Sequence, residues 1–467
     1  MKNKKLWLEL VKGFNAILMA LPFRDAWYAY YAAAIASPFY RKGNWLVIAL
    51  FLILYITFGR VYDAFAVSRN RISEMVYSQT LSVFISDFFM YLVIVLLAKH
   101  LRSPLCLIGA FAGQVLFSVC WSVLAQKIYF LMYDAKRTAV VYDMRPDLGE
   151  QIRGSWMDKK YDIRLEMDAA DCLDDLEALS DMQTVFISGV HSRERNIILK
   201  YCVEHDIEVF VIPRVGDELM SGARQMKMLH LPVLRVTRYA PSSIYLIAKR
   251  AFDIFASGLA LVILSPIFLI TAIAIKATDG GPVFYKQTRL TKDGKLFKVI
   301  KFRSMRVDAE KDGVARLSTG SADDRITPVG KLIRKIRVDE LPQLINIFVG
   351  DMSICGPRPE RPEIAAQYEE ELPEFNLRLQ AKAGLTGLAQ VYGKYNTTPY
   401  DKLIMDLAYI AHPSIWQDLR IMFATVKILF MPESTEGVDA GQVTALNYEN
   451  EANRTEKWEK RDEHWTD

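Results

Sequence analysis

At 467 residues, of which 51% are hydrophobic and 24% charged, the chain is long enough for two or three domains and mixes apolar segments with charged soluble ones. A net charge of only +4 carries no basic excess of the kind a nucleic-acid footprint shows, so a nucleic-acid partner is not expected. Five cysteines (Cys106, Cys120, Cys172, Cys202, Cys355) show neither metal-ligand spacing nor a disulfide framework, which fits a reducing compartment.

The amino terminus, MKNKKLWLELVKGF, is basic, but no small-residue cleavage site follows a compact apolar core, so it is expected to be retained. Segments 43–59, 79–98 and 104–124 are long and apolar enough to span a bilayer; a weaker Ala/Tyr-rich one near 25–40 is interrupted by Pro38. With Arg60, Arg69, Arg71, Lys127, Lys136 and Arg137 on the cytosolic side, Lys2, Lys4, Lys5 and Lys12 join them only if the weak segment spans. Four spans with both ends inside follow. Asp87 and Gln114 fall within spans, and with no further acid or base to form a relay they read as groups facing or bonding across neighbouring helices.

From 138 onward strands and helices alternate: TAVVYD (138–143), YDIRLEM (161–167), TVFISG (184–189), the helical SRERNIILKYCVEHD (192–206) and IEVFVIP (207–213). This is a parallel, doubly wound pattern. Its first turn, YDMRPDLGE, places Met144, Arg145 and Pro146 where a dinucleotide site needs glycines, so the domain reads as a Rossmann-like shell with a structural or regulatory role. The Gly189-Val190-His191 turn is a further ligand contact or an ordinary surface turn.

After the linker 238–246, the run Gly258–Ile275 is apolar enough to span. Lys249 and Arg250 before it and Lys276 after it mark both ends as cytosolic, and Pro266 removes a helix hydrogen bond and disfavours helical geometry at Ser265. A helix that breaks at Ser265-Pro266 and leaves by the same face is expected, with Lys249, Arg250, Lys276 and Lys286 either drawing in a lipid-linked phosphate or snorkelling.

Two strands, within 281–290 and 295–305, flank the hairpin signal Asp293-Gly294. Val299, Lys301 and Arg303 share one strand face, so the two cations suit either a pyrophosphate or solvent. A hydrophilic stretch, 307–330, carries Asp308 and Glu310. Then comes KLIRKIRVDELPQLINIFVGDMSICGPRP (331–359), in which Asp339 and Glu340 follow Lys331, Arg334, Lys335 and Arg337 and precede Pro342 at a helix start. A carboxylate held ionised beside cations serves a phosphate substrate as nucleophile or metal ligand; ordinary surface charge pairing is the alternative.

Four ordered blocks, KRAFDIFASGLALVILSPIFLI (249–270), FKVIKFRSM (297–305), RKIRVDELPQLINIFVGDMSICGPRP and AGLTGLAQV (383–391), resemble the bacterial sugar transferases, the monotopic phosphoglycosyl transferases. The front half is similar in layout to the family's long members. The resemblance implies that Asp339 is the nucleophile and a ligand of Mg2+, that Glu340 assists, and that Lys301, Arg303, Arg334, Arg358, Thr386 and Gln390 bind substrate. It also places the acid dyad at 339–340 rather than at Asp308 and Glu310. Lys382 and Ala383 stand where the family has Arg-Pro, and Tyr392-Gly393-Lys394-Tyr395 replaces Asn-Gly-Arg-Asn, so sugar specificity does not carry over.

The expected fold is a membrane α-helical bundle plus α/β. It comprises transmembrane helices (1–132), a Rossmann-like middle domain (133–238), a re-entrant-helix-anchored α/β catalytic domain (239–431) and an acidic disordered tail (432–467). The run 412–430 reads as an interfacial helix. The resemblance implies transfer of hexose 1-phosphate from a UDP-hexose to polyprenyl (undecaprenyl) phosphate at the cytosolic face of a bacterial inner membrane, starting an exopolysaccharide, capsule or O-antigen. A non-catalytic, membrane-anchored assembly protein is the alternative. Membrane lipids are partners in either case, and a homodimer is compatible with the chain.

Overall fold

The computed structural model describes residues 2–39, 42–143, 146–239, 241–307, 309, 325–393 and 397–429. Met144, Arg145, Asp308, Glu310, Lys394, Tyr395 and the tail from 430 lie outside the described residues. The chain divides into two compact units, Met1–Pro213 and Arg214–Asp467.

The first unit begins with helices α1 (Lys2–Ala26, prolonged by a wider turn at Trp27–Tyr31), α2 (Lys42–Val61), α3 (Ile72–Ala98) and α4 (Leu105–Met132). All four are long and apolar enough to cross a bilayer. The last three match the expected segments; the first does not, because its apolar stretch is Leu6–Tyr31 rather than the weak segment near 25–40. Its early charges do not interrupt it, since Lys12 and Glu9 pair at 2.8 Å across one turn. Further along, Met19, Phe23, Trp27 and Tyr31, four residues apart on one face, bury themselves against Phe51, Tyr55 and Ile94. Three polar contacts tie the bundle together. Tyr55 donates to Asn15 Oδ1 (2.6 Å), Asn15 to Gln79 Oε1 (3.2 Å), and Gln114 to the Met19 carbonyl (3.0 Å).

Strands β1 (Lys136–Tyr142), β2 (Tyr161–Asp168), β3 (Thr184–Ser188) and β4 (Glu208–Val211) form an all-parallel sheet in the order β2-β1-β3-β4. Val141, Val185 and Ile187 bury one face with Ile198 and Cys202 of the helix Ser192–Glu204. All five cysteines are free.

The second unit takes in 214–238, which the sequence pattern places with the middle domain. There the helix Val215–Ser221 reaches the helix Pro399–Ala411 so closely that a Cβ on Gly222 would lie 3.0 Å from the Ala411 backbone. The antiparallel pair β5 (Arg224–Met228) and β6 (Leu231–Arg235) follows.

An inbound helix (Ser243–Ile263) and an outbound helix (Ser265–Asp279) then meet at a 60° bend. The bend has a local cause. Pro266 has no N–H for the carbonyl four residues back, that of Val262, and the Ser265 hydroxyl donates to that carbonyl instead, at 2.8 Å. The inbound helix is pinned by charge: Lys249 pairs with Asp418 of the C-terminal helix (Ile415–Leu429) at 2.9 Å, and Asp418 also accepts from Tyr245 (2.9 Å) and Tyr409 (2.8 Å). Lys249 is therefore engaged inside the protein. Arg250 likewise donates to the Ile347 and Phe348 carbonyls (2.7 and 2.8 Å), and Lys276 to that of Gly280 (2.6 Å).

Strands β7 (Phe284–Leu290) and β8 (Leu296–Phe302) form the expected hairpin, with Asp293 and Gly294 both at positive φ (59° and 70°) in its turn. Short parallel strands β9 (Ser353–Cys355) and β10 (Gly384–Thr386) lie beyond it.

Because Lys249 and Asp418 are both largely buried, Asp418→Ala leaves an uncompensated ammonium inside the protein. It is expected to cost about 3 kcal/mol and to lower the melting temperature of detergent-solubilised protein by about 6–12 °C. A thermal-shift comparison with Lys249→Met/Asp418→Ala checks this, the double variant recovering part of the loss.

Candidate active site

The site is assembled by a helix, a strained residue and a second helix. Thr327 caps the helix Pro328–Lys335 by accepting from the Gly330 N–H (2.9 Å). Two residues after that helix, Arg337 takes φ 58°, a left-handed conformation that non-glycine residues rarely adopt. The chain thereby reverses into the single turn Val338–Glu340, and Pro342 starts the acid-pair helix Gln343–Val349. Asp339 and Glu340 thus stand at a helix entrance, where Pro342 was expected to put them.

Lys301 reaches them from β8. Its ammonium donates to Glu340 Oε1 at 2.7 Å, and Arg358 Nη2 approaches the same oxygen at 3.5 Å. Asn346 fixes how β8 meets the acid-pair helix, accepting from the Ile300 N–H (3.0 Å) and donating to the Lys298 carbonyl (2.9 Å) as a neighbouring strand would. Burial alone would raise the Glu340 pKa, but Lys301, Arg358 and Arg337 together hold its carboxyl far below the usual range. Asp339 goes the other way. Burial, then the Glu340 charge, push its pKa up to about 6 against the pull of Lys301, Arg334 and Arg337. Asp339 Oδ1 and Arg334 Nη1 are buried without a hydrogen-bond partner among the described residues. One carboxylate is locked and its neighbour is left with an unengaged oxygen, an arrangement suited to a nucleophile.

Arg358 comes from the Gly-Pro-Arg-Pro loop, whose Gly356 admits no side chain: an added Cβ would lie 2.2 Å from the Lys382 carbonyl. Arg378, itself held by Asp406 (2.8 Å), donates to the Arg358 carbonyl (2.9 Å) and sets the loop from behind. Ser265 and Pro266 stand at the helix break, as expected. Three sequence candidates do not join the acid pair. Arg303 makes a two-pronged ion pair with Asp279 and donates to the Pro282 carbonyl (2.7 Å), Thr386 bonds Thr425 (2.6 Å), and Gln390 Nε2 lies 3.5 Å from the Leu385 carbonyl. Lys382 donates to the Gly350 carbonyl (2.7 Å). The cleft beside Glu340 is lined by Lys301 and Arg358 and also by Arg289 and Gln343, which the sequence motifs do not single out. The period of two along β7 was the available signal for Arg289, and helix position for Gln343.

Among the described residues no group of three or more His, Cys, Asp or Glu side chains is placed to hold a metal unaided. Mg2+ needs less, because it is held by one or two carboxylates with substrate oxygens and water, and the free Asp339 Oδ1 fits that role.

The model of the family described as "Bacterial sugar transferase" matches residues 244–432. The chain is 45% identical over 190 residues to the exopolysaccharide production protein PSS of Rhizobium leguminosarum bv. phaseoli, covering 39% of this chain and 94% of that protein. This chain belongs to the bacterial sugar transferase family. It is 34% identical over 293 residues to the UDP-glucose:undecaprenyl-phosphate glucose-1-phosphate transferase of Klebsiella pneumoniae, over 60% of this chain and 62% of that protein. Over 234 residues it is 37% identical to the UDP-N-acetylgalactosamine-undecaprenyl-phosphate N-acetylgalactosaminephosphotransferase of Aeromonas hydrophila, over 50% and 54% of the two chains. These last two matches thus span between half and two thirds of those relatives' lengths. In this family setting the acid pair, Lys301, Arg334 and Arg358 form one cluster, while Arg303 belongs to the frame around it.

The raised Asp339 pKa has a direct spectroscopic consequence. The infrared carboxylic-acid C=O stretch of Asp339 is expected at about pH 5 and lost by about pH 7, with the difference absent in Asp339→Asn. An Asp339 already fully ionised at pH 5 contradicts this arrangement.

Proposed function

We propose that this chain transfers a hexose 1-phosphate from a UDP-hexose to polyprenyl (undecaprenyl) phosphate and releases UMP, starting a lipid-linked exopolysaccharide, capsule or O-antigen. The observation that carries this reading is the buried, unengaged oxygen of Asp339 beside a Glu340 neutralised by Lys301 and Arg358. Family membership and the printed names of the Klebsiella and Aeromonas relatives support the reaction class.

In the first half-reaction an Asp339 oxygen attacks the phosphorus that bears the sugar, and the bond from that phosphorus to UMP breaks. The phosphosugar is then an acyl phosphate on Asp339. In the second, a phosphate oxygen of the polyprenyl acceptor attacks the same phosphorus, and the Asp339 carboxylate departs. Two displacements replace one direct encounter between two anions. Arg334, whose Nη1 has no partner among the described residues, neutralises charge on the reacting phosphate; Glu340 keeps Lys301 and Arg358 in place. Asp339 would hold Mg2+, which would supply positive charge against the diphosphate.

The acceptor is a lipid, and the helix pair bent at Ser265-Pro266 supports a mode in which the chain enters the cytosolic leaflet of a bacterial inner membrane and leaves by the same face. That mode would present the cluster at headgroup depth.

Solubilised protein with Mg2+ and polyprenyl phosphate is expected to turn UDP-hexose over to UMP, and Asp339→Ala to reduce the rate by at least about 1,000-fold. Release of UDP, or normal turnover by Asp339→Ala, contradicts the proposal. Because attack needs the ionised carboxylate, UMP release should fall as pH drops through the Asp339 pKa, about 6 without metal and lower once Mg2+ is bound. Glu340→Gln removes the neighbouring negative charge that raises the Asp339 pKa, so it should move that acid limb to lower pH while slowing the reaction. A limb that stays in place counts against the coupling of the two acids.

A further inference from the structure

Arg289 lies on β7 directly opposite Phe297, while Gln287 faces Val299 and Tyr285 faces Lys301. Opposed residues of an antiparallel pair share a face, so Arg289 stands on the same side of the hairpin as Lys301 and lines the same cleft as Lys301, Glu340 and Arg358. Its side chain is only 17% exposed. Among the described residues two of its five N–H groups have protein acceptors: Nη2 donates to Gln287 Oε1 (2.6 Å) and Nη1 to the Pro359 carbonyl (3.2 Å). Glu360 comes no nearer than 3.8 Å and shares its charge with Arg378 at 3.7 Å, both beyond hydrogen-bond length. Burial, with Arg358 and Arg361 adding repulsion, lowers the Arg289 pKa to about 10 despite Glu360. The guanidinium is thus largely dehydrated and has no hydrogen-bonded carboxylate among the described contacts. By contrast, Lys301 and Arg358 already converge on Glu340.

The cleft that Arg289 lines also includes Glu340, the residue next to Asp339 in the acid pair. We propose that Arg289 is a donor-binding residue that holds the phosphate departing with the nucleoside, its fork oriented by Gln287 and the Pro359 carbonyl. The inference rests on the phosphosugar-transfer reading. It gives two arginines different roles, with Arg334 at the phosphate that stays on the enzyme and Arg289 at the one that leaves.

The test divides the two half-reactions. In Arg289→Gln, the KM for UDP-hexose and the inhibition constant of UMP should each rise by about 10- to 100-fold, the worth of a charge-assisted hydrogen bond. Transfer from preformed phosphosugar-enzyme to polyprenyl phosphate should keep its wild-type rate, because the nucleotide has gone by then. Arg289→Lys, which keeps the charge and loses the fork, should recover part of the UMP affinity; it carries the test alone, through the same UMP constant, if the glutamine variant does not fold. If Arg289 only braces the Pro359 loop, both half-reactions slow together, and that result, or an unchanged UMP constant, overturns the assignment. Wild-type protein that releases no UMP overturns the transfer reading and this inference with it, whereas a wild type that turns over beside an unaffected Arg289→Gln overturns this inference alone.

Discussion

Two consecutive carboxylates in a half-dry turn repel each other, and the ion pair between Lys301 and Glu340 decides which keeps its charge. With Lys301 at 2.7 Å and Arg358 at 3.5 Å, Glu340 remains ionised, and its fixed charge in turn makes Asp339 harder to ionise. The asymmetry depends on bringing strand β8 to the acid-pair helix, since Lys301 and Glu340 are 39 residues apart in sequence. Asn346 does this by giving β8 a substitute for the strand it lacks on that edge. A two-stranded hairpin is marginal by itself, so a side chain that closes its edge stabilises both the fold and the site.

The second layer is built from buried ion pairs, which are weak sources of stability but firm sources of position. Arg378, 3% exposed, is neutralised by Asp406 and spends a remaining N–H on the Arg358 carbonyl. The loop that delivers Arg358 to Glu340 is therefore gripped through its backbone by Arg378, leaving the Arg358 guanidinium to face the acid pair.

Much of this frame is legible in the sequence wherever local chemistry decides the outcome. Strands β1 to β4 fall within two residues of their expected limits, Asp293-Gly294 makes the hairpin turn, and Pro266 breaks the apolar run. The first apolar helix lies outside its expected limits because Glu9 and Lys12 dilute the apolar pattern of the segment, whereas in the fold they pair along one side of a helix. Partner choice is the illegible part. Arg303, just past the end of β8, and Lys301, within it, look alike in a motif. One meets Asp279 and the other Glu340, and Lys249 meets an aspartate 169 residues away. Local patterning cannot rank such pairings, because each depends on which distant element packs against the strand or helix.

Those distant pairings also connect the bent helices to the chemistry. The acid-pair helix follows the turn that carries Asp339 and Glu340 and ends in carbonyls that need donors. Arg250 of the inbound helix supplies them to Ile347 and Phe348, and Lys382 to Gly350. Cations at that end also oppose the helix dipole, so the contact is favourable twice over. A seven-residue helix is about 10 Å long, too short to flex between its ends. The distance from the inbound helix to the turn that carries Asp339 is consequently spanned mostly by this one short strut. If the bent pair sits in the leaflet, the depth of the acid-pair turn follows from where Arg250 grips that strut, so this arginine, one of the four cations the charge pattern marks, acts through the fold rather than at the surface.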